Sequence, residues 1–243
     1  MLEETDNNMR LPTRDIHSHL LPGVDDGFRS AEDSLRALRE MSDAGCREFV
    51  FTPHINPDVY PGVNEETHKA AYDGFVRSIP SGLDITTSLA AEYMVVAGFE
   101  DRVSGSADTL LRMPDGSVLV EMSYMFRSRN LESALFELNI AGFRPILAHP
   151  ERYTYMSDDL SEFDRIVDMG CSLQLNLMSV TGAYGPASVK IMKHLLRHDM
   201  YSYIASDLHS LNQLKRIMQF RPGFFMRRDL RLFMKKNPDY FNF

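Results

Sequence analysis

Short apolar runs alternate with amphipathic helical segments along almost the whole chain, and this alternation constrains the fold more than any other feature. One unit shows the pattern clearly. Ser30 is a predicted helix N-cap, Asp33 suits the first turn, and Gly45 supplies the left-handed residue that closes the helix. An apolar run then leads directly to His54. Strands that alternate with helices predict an α/β fold with a parallel sheet.

Six of the seven predicted strands end on, or close to, a histidine or an acidic residue. In chain order the strands lead to His17, His54, Glu92, Glu121, His149, Asn176, and Asp207 with His209. Loops that follow parallel strands build the site of a β/α barrel, whereas an open doubly wound sheet gathers its ligands at one switch point. We therefore predict a distorted seven-stranded (β/α)7 TIM-like barrel over residues 13–243, preceded by a polar tail over residues 1–12. The open sheet is the alternative.

Composition excludes several classes of function. A net charge of −8 on 243 residues argues against a nucleic-acid binder. The polar N-terminus has no apolar signal region and no run reaches 18 apolar residues, so we expect no membrane span and a cytoplasmic protein. Cys46 and Cys171 are expected to be buried and reduced. Neither begins Cys-x5-Arg, because Thr52 and Leu177 stand six residues on, so a thiolate phosphatase loop is absent.

The strand-end residues form a candidate metal-binding set. His17 and His19 are two residues apart, so an extended strand directs both imidazoles to one face. The set comprises His17, His19, Asp26, His54, Glu92, Glu121, His149, Asp207 and His209. Its four carboxylates would be balanced by two divalent ions, and three ions would leave a charge of about +2 that suits a phosphate monoester. Nitrogen and oxygen ligands without thiolate favour Mn, Fe, Zn or Co over Ca or Mg.

Other residues have weaker signals. Arg152 follows His149 closely and could clamp phosphoryl oxygens, the alternative being a surface ion pair with Glu151 or Asp158. The loop 56–63, with Tyr60, could border the pocket and stack on an aromatic substrate, or be a plain surface loop. We expect His194 and His198 to cap a helix C-terminus and His68 to be a solvated helix residue.

The segment Lys215 to Lys236 carries eight Lys or Arg residues against one Asp. It is either a solvated helix face that packs apolar side chains inward or a surface for an acidic partner such as a phosphorylated kinase tail. The apolar side chains that would pack inward are Phe224, Phe225, Leu230 and Phe233.

These motifs resemble the polymerase and histidinol phosphatase (PHP) superfamily. The resemblance runs from about residue 13 to 210 and is carried, in order, by D-I-H-S-H, L-P-G-V-D-D-G, T-P-H, A-E, E-M-S, A-H-P-E-R and A-S-D-L-H. Within the superfamily the chain is most similar to the manganese-dependent protein-tyrosine phosphatases of bacterial capsule and exopolysaccharide loci. L-P-G-V-D-D-G carries that closer similarity.

The resemblance implies a trinuclear metal centre in a seven-stranded barrel. It assigns one metal to His17, His19, Glu92 and Asp207, a second to Glu92, Glu121 and His149, and a third to Asp26, His54 and His209. Arg152 would hold the substrate phosphate. A second arginine is typical of the subgroup shortly after the last histidine, and Arg216 is nearest in spacing, although without the usual Arg-Pro form.

The implied reaction is hydrolysis of phosphotyrosine on a protein, a tyrosine autokinase of exopolysaccharide synthesis being the expected partner. A metal-bridging hydroxide would attack phosphorus in line, and His54 or His209 could assist proton transfer. The alternatives are a small-molecule phosphomonoesterase such as histidinol phosphatase and a non-catalytic metal-binding regulator of a kinase. A polymerase-associated nuclease is disfavoured by the acidic charge.

Overall fold

The structure, a computed structural model, describes residues 11–236. Nine strands lie in this range: β1 (Arg14–Ser18), β2 (Glu48–Phe51), β3 (His54–Ile55), β4 (Thr86–Leu89), β5 (Glu92–Met94), β6 (Ser117–Glu121), β7 (Arg144–Ala148), β8 (Ser172–Asn176) and β9 (Tyr201–Ala205). Every strand pairing is parallel. The predicted α/β class with parallel sheets is therefore confirmed.

Helices connect the strands. They are α1 (Ala31–Asp43), α2 (Glu65–Val76), α3 (Phe99–Ser106), α4 (Leu131–Ile140), α5 (Ser161–Asp168), α6 (Leu177–Val180), α7 (Gly185–Arg197), α8 (Leu211–Gln219) and α9 (Phe224–Lys236). Short 3-10 helices span Ala107–Thr109, Pro150–Arg152 and Thr154–Met156. The predicted start of α1 is confirmed, because the Ser30 side chain accepts a hydrogen bond from the Asp33 amide. Gly45 follows α1 with a φ of 104°, the left-handed conformation that glycine adopts without strain.

The strands form two sheets, in the orders β1-β2-β4 and β3-β5-β6-β7-β8-β9. Two residues separate β2 from β3, and one of them is Pro53, which has no amide hydrogen to donate to a ladder. Two alanines likewise separate β4 from β5. A parallel bridge between Ser18 and Leu208 joins the end of β1 to the segment after β9. Beside it, the buried Asp15 carboxylate accepts hydrogen bonds from the amide and hydroxyl of Ser206, at 2.8 and 2.5 Å.

The core has two parts. A large cluster lies between strands and helices, and Phe49, Leu135, Phe163 and Leu195 are among its fully buried members. A smaller apolar layer comprises Ile16, Val50, Ala90, Met113, Leu119, Ile146, Ala148 and Ala205. Because these residues come from seven different segments, the layer ties the two sheets together below the strand ends that carry the polar residues.

Both cysteines are buried and free, as predicted. Burial raises the pKa of the Cys171 thiol to about 12, and burial likewise raises the pKa of Cys46 far above its usual range. Neither thiol is therefore a thiolate at neutral pH, and neither is a candidate nucleophile.

The helix histidines and the N-terminal tail differ in how well they match the predictions. His68 is 1% exposed and its Nε2 lies 3.0 Å from the backbone carbonyl of His54, so the prediction of a solvated residue is wrong. His194 and His198 do stand at the C-terminal end of α7, where the His198 amide caps the His194 carbonyl. Of the predicted tail, residues 1–10 lie outside the described residues, and Leu11 is buried. Within residues 11–236, no helix combines the length and apolarity that a membrane crossing requires.

The basic segment forms most of α8 and all of α9. Leu230 and Phe233 are buried as expected, whereas Phe224 is 71% exposed, so its predicted inward packing is wrong. Phe224 stands at the first position of α9, where its side chain lies outside the packed face. The side chain of Phe225 lies outside the described residues.

Candidate metal centre

Side chains in or next to five strands converge at the carboxyl edge of the sheets. His17 lies in β1, Glu92 begins β5, Glu121 ends β6, and His149 and Asp207 follow β7 and β9. All five are at most 2% exposed. Parallel strands all end at the same edge, so residues that are up to 190 positions apart in the chain become neighbours here.

Four atoms form the first group: His17 Nε2, His19 Nε2, Glu92 Oε2 and Asp207 Oδ1. The two histidine nitrogens are 3.2 Å apart, and each lies 3.3–3.4 Å from both carboxylate oxygens. Ligands bound at about 2.1 Å in tetrahedral geometry are separated by about 3.4 Å. The spacing of the His17, His19 and Glu92 atoms therefore matches ligands around a common cation, and Asp207 Oδ1 lies within 3.4 Å of both histidine nitrogens.

The imidazoles are oriented by hydrogen bonds on their other nitrogen. His17 Nδ1 lies 2.8 Å from Gln174 Oε1, and His19 Nδ1 lies 2.8 Å from Asp25 Oδ2. His209 Nδ1 lies 2.9 Å from the carbonyl oxygen of Asp207. Each acceptor requires a proton on Nδ1, which leaves the lone pair of Nε2 facing the cluster. This is how proteins orient metal-binding histidines.

A second group surrounds Glu121. His54 Nδ1 lies 2.9 Å from Glu121 Oε1 and 3.1 Å from Glu92 Oε2. His149 Nε2 lies 2.9 Å from Glu92 Oε1 and 4.0 Å from Glu121 Oε2. Glu92 thus stands between the first group and this one.

The groups leave buried polar atoms without hydrogen bonds. Both Glu121 oxygens, Glu92 Oε2 and His54 Nδ1 are close to one another, yet none makes a hydrogen bond of acceptable geometry to any described residue. An unpaired buried polar atom costs about 1–3 kcal/mol. Atoms that lie close together but are not aligned for hydrogen bonding have the arrangement expected of ligands to a shared cation, so the residues fit a metal.

A third group lies nearer the solvent. Asp26 Oδ1 is 3.3 Å from His54 Nε2 and 3.6 Å from His209 Nε2, and the rings of His19 and His209 stack at 4.0 Å. The side chain of Asp26 is 61% exposed. His54 contributes one nitrogen to this group and the other to the second group, so it lies at their junction.

Charge interactions keep the carboxylates ionised. Burial favours the neutral form of Glu92 and Asp207, but the neighbouring histidines outweigh it and hold both pKa values well below the usual range. Burial also opposes the charged forms of His17 and His19, yet nearby carboxylates raise both pKa values. The cluster thus favours positive charge, which either protons on the histidines or metal cations can supply.

Backbone geometry at the site is constrained. His149 and Asp207 have φ values of 36° and 49°, and non-glycine residues in this left-handed region are strained by about 1–3 kcal/mol each. Gly27 is required for a different reason, since a Cβ there would lie 2.3 Å from the carbonyl oxygen of His19. Such strain and close packing are typical of positions that orient functional side chains.

Arg152 lies beside the cluster in the helix Pro150–Arg152. Its Nη1 donates to Asp207 Oδ2 at 3.1 Å, and its guanidinium lies 3.9 Å from the ring centre of Tyr124 and 4.4 Å from that of Tyr184. Arg152 does not pair with Glu151, one of its predicted alternative partners. The buried Glu151 carboxylate instead accepts hydrogen bonds from Tyr201, Ser179 and the Asn176 amide. Burial opposes the charge of Arg152, but Tyr124 and Asp207 raise its pKa further.

Tyr60 and Arg216 have different surroundings. The Tyr60 ring stacks on His54 with centroids 6.1 Å apart, which places the loop 56–63 at the border of the site. Arg216 is exposed on α8, and its Nε donates to Thr181 Oγ1 at 3.1 Å rather than to a member of the predicted ligand set.

Sequence reasoning did not identify Asp25, Gln174 and Tyr124 as site residues. Asp25 had a usable signal, because it stands next to Asp26 in a short acidic pair. Gln174 lies inside an apolar run and meets His17 only through the pairing of β8 with its neighbours, so no local signal marks it. Tyr124 follows the end of β6 by three residues, and its hydroxyl lies 3.3 Å from His149 Nε2.

Comparison with known proteins gives consistent matches. The chain is 28% identical over 204 residues to the tyrosine-protein phosphatase YwqE of Bacillus subtilis, covering 81% of this chain and 77% of that protein. It is 29% identical over 213 residues to the tyrosine-protein phosphatase CpsB of Streptococcus pneumoniae, covering 84% of this chain and 86% of that protein.

Solved structures agree on the fold. A structure from work on YwqE and CpsB, described as unique metal-dependent tyrosine phosphatases, matches with a TM-score of 0.70 at 24% identity, covering 91% of this chain and 86% of that one. The histidinol phosphate phosphatase of Lactococcus lactis matches with a TM-score of 0.52 at 13% identity, covering 92% of both chains. The family model for capsular polysaccharide synthesis, CpsB/CapC, matches residues 13–221. The chain therefore belongs to the CpsB/CapC family of capsular polysaccharide synthesis.

Proposed function

We propose that the protein is a metal-dependent phosphatase that hydrolyses phosphotyrosine on proteins. One observation carries the proposal: imidazole Nε2 atoms and carboxylate oxygens converge at cation-ligand spacing, with Arg152 fixed beside them. The names of YwqE and CpsB, both tyrosine-protein phosphatases, support the same activity.

We infer that three divalent metals bind, Mn being the proposed ion and Fe, Zn or Co the alternatives. His17, His19, Glu92 and Asp207 would hold one, Glu92, Glu121 and His149 a second, and Asp26, His54 and His209 a third. The three clusters of potential ligands in the described residues support this division in part: one holds His17, His19 and Glu92, and one holds Asp26, His54 and His209 together with His19. The remaining cluster groups His54 with Glu92 and Glu121, and Asp207 and His149 belong to none of the three. When bound, the metals would neutralise the carboxylates, lower the pKa of a water and polarise a phosphoryl oxygen.

Arg152 is proposed to bind the phosphate. Tyr124 and Tyr184 lie within cation–π distance of its guanidinium, and Asp207 accepts one of its hydrogens, so its position is restricted before substrate arrives. Its remaining N–H groups could donate to the phosphoryl oxygens and stabilise charge as it spreads in the transition state. A phenolate leaving group has a pKa near ~10, so it needs less protonation than an alkoxide.

The outer part of the site suits a protein substrate. His54 and His209 are partly exposed, at 12% and 18% of their side-chain surface, whereas the inner ligands are buried. We propose that these two histidines assist proton transfer to the leaving group. Arg216 remains a proposed second phosphate contact.

We further propose that the two sheets form one closed ring of seven strands, in which β2 with β3 and β4 with β5 are interrupted single strands. The bridge between Ser18 and Leu208 supports closure. The proposed partner is a phosphotyrosine segment of a tyrosine kinase of capsule or exopolysaccharide synthesis, in keeping with the family description. A cytoplasmic location and a single domain over residues 13–243 also stay predictions.

The test is hydrolysis of p-nitrophenyl phosphate and of a phosphotyrosine peptide with Mn²⁺, before and after treatment with a chelator. We expect both activities to disappear on chelation and to return with Mn²⁺. Asp207→Asn should abolish both, whereas Asp115→Asn, an exposed aspartate paired with Arg144, should retain them. Activity that persists after complete metal removal would rule out the proposal.

Histidinol phosphate is a necessary third substrate in this assay. A kcat/KM for histidinol phosphate well above that for the peptide would indicate a small-molecule phosphomonoesterase. Metal binding with no hydrolysis of any of the three substrates would indicate the non-catalytic regulator.

A further inference from the structure

The loop between β6 and α4, residues 122–130, exposes two adjacent large apolar side chains. Met125 is 82% exposed and Phe126 is 67% exposed. Exposed apolar residues that occur singly need no explanation, but neighbouring pairs beside a site often mark a contact surface. We call Met125 and Phe126 the apolar tip.

Both ends of this loop are held in place. The Met122 amide donates to the Tyr153 hydroxyl at 3.0 Å, and the Tyr155 hydroxyl donates to the Ser123 carbonyl at 3.1 Å. On the other side, the Ser128 hydroxyl donates to the Val95 carbonyl at 2.7 Å.

Ion pairs hold the middle of the same loop. Arg127 binds both Glu132 and Glu162, the latter at 3.0 Å. The apolar tip is therefore presented to solvent by an anchored segment, so contact with a partner would require little ordering of the backbone.

The apolar tip directly follows the wall of the proposed active site. Tyr124 precedes Met125, and its ring lies 3.9 Å from the Arg152 guanidinium carbon. Its hydroxyl lies 3.3 Å from His149 Nε2. The step from Tyr124 to Phe126 is two residues, at most ~7 Å of chain. A residue that flanks the phosphotyrosine within a substrate protein could reach the tip while the phosphate contacts Arg152.

Exposed large apolar side chains occur in both loops that border the site. Nine large apolar side chains are exposed among the described residues, and four of them belong to the two loops that border the site. These four are Val59 in the loop of Tyr60, and Tyr124, Met125 and Phe126 in the loop after β6.

We propose that Met125 and Phe126 dock a large apolar side chain adjacent to the phosphotyrosine of the substrate protein and so determine sequence preference. This inference rests on the proposed phosphatase function and deepens it, because it specifies the chemical class of the substrate segment. The tip is uncharged, so charged or small flanking residues would gain little from it.

The experiment compares two phosphotyrosine peptides that differ only in the residues flanking the phosphotyrosine, Leu in one and Ser in the other. For the unaltered protein with Mn²⁺ we expect kcat/KM to favour the Leu peptide by about tenfold, as expected for contact with well-placed apolar residues. The double variant Met125→Ser/Phe126→Ser should reduce this ratio to about two or less.

The matched control is Phe136→Ser/Ile140→Ser, which removes two other exposed apolar side chains, at 57% and 66%, from the surface of α4. This control should keep the tenfold preference, and a thermal melt should show that both double variants are folded. A preference that is absent in the unaltered protein, or unchanged in the tip variant, overturns the docking inference while leaving phosphatase activity intact. If the unaltered protein with Mn²⁺ hydrolysed neither peptide, the proposed function itself would be overturned.

Discussion

Asp25→Asn provides a sharp test of how the metal centre is organised. The Asp25 Oδ2 atom lies 2.8 Å from His19 Nδ1 and also accepts the His54 amide at 3.1 Å, while Oδ1 accepts the Gly27 amide at 2.9 Å. The carboxylate therefore orients the His19 imidazole and also fixes the backbone at His54. Asparagine has nearly the same shape but removes the negative charge and one acceptor.

The expected loss of metal affinity has a predictable magnitude. Removing the hydrogen-bond partner of a metal-bound histidine typically lowers metal affinity by about 10- to 100-fold. Each factor of ten corresponds to about 1.4 kcal/mol, so Asp25→Asn should cost about 1.4–2.8 kcal/mol of metal binding.

The assay is the Mn²⁺ concentration that gives half-maximal hydrolysis of p-nitrophenyl phosphate by metal-stripped protein. It should rise by at least tenfold in Asp25→Asn, and saturating Mn²⁺ should restore much of the activity. Asp115→Asn, at an exposed aspartate, is the control. An unchanged Mn²⁺ requirement for Asp25→Asn would show that the carboxylate does not orient a metal ligand.

Three further outcomes are expected. Tyr153→Phe should lower the free energy of unfolding, measured by urea titration, by about 1–3 kcal/mol. The buried hydroxyl accepts a hydrogen bond from the Met122 amide and donates one to the Ala148 carbonyl, so an unchanged free energy of unfolding would contradict this account. Metal removal should lower the melting temperature, since a metal at 1,000 times its dissociation constant stabilises the folded state by about 4 kcal/mol. An identical melting temperature with and without chelator would contradict metal binding to the folded protein. The double variant Cys46→Ser/Cys171→Ser should keep the specific activity of its folded fraction, and an inactive but folded variant would refute the absence of a cysteine nucleophile.

Some of the architecture follows from local sequence signals. Apolar runs followed by polar residues correctly placed the strands that lead to the candidate ligands, because this order reflects a buried strand that ends at a loop. The Ser30 cap and Gly45 likewise marked the ends of α1. The interruption between β2 and β3 was not anticipated, although Pro53 was a visible reason for it.

The rest depends on contacts between distant segments. Gln174 meets His17 across 157 positions of sequence, and no local pattern marks such a pair. His68 was misjudged because its acidic and basic neighbours suggest a solvated helix face, whereas the helix actually turns it toward the carbonyl of His54. The orientation of an imidazole is set by its hydrogen-bond partner, so the sequence could predict the ligand residues but not the nitrogen each one presents.

The carboxyl ends of the strands and the apolar layer below them have opposite roles in stability. The carboxyl ends hold buried carboxylates and imidazoles with unpaired atoms, together with strained backbone at His149 and Asp207, and each such feature costs about 1–3 kcal/mol. Below them, Ile16, Val50 and Leu119 belong to a layer of buried apolar side chains. Because burying a Val or Leu side chain contributes about 1.5–3 kcal/mol, this layer can offset the cost of the unpaired atoms and strained backbone at the strand ends. The ligand atoms are thus held in place by the apolar layer, and the proposed metals would supply partners for the unpaired atoms instead of creating the site.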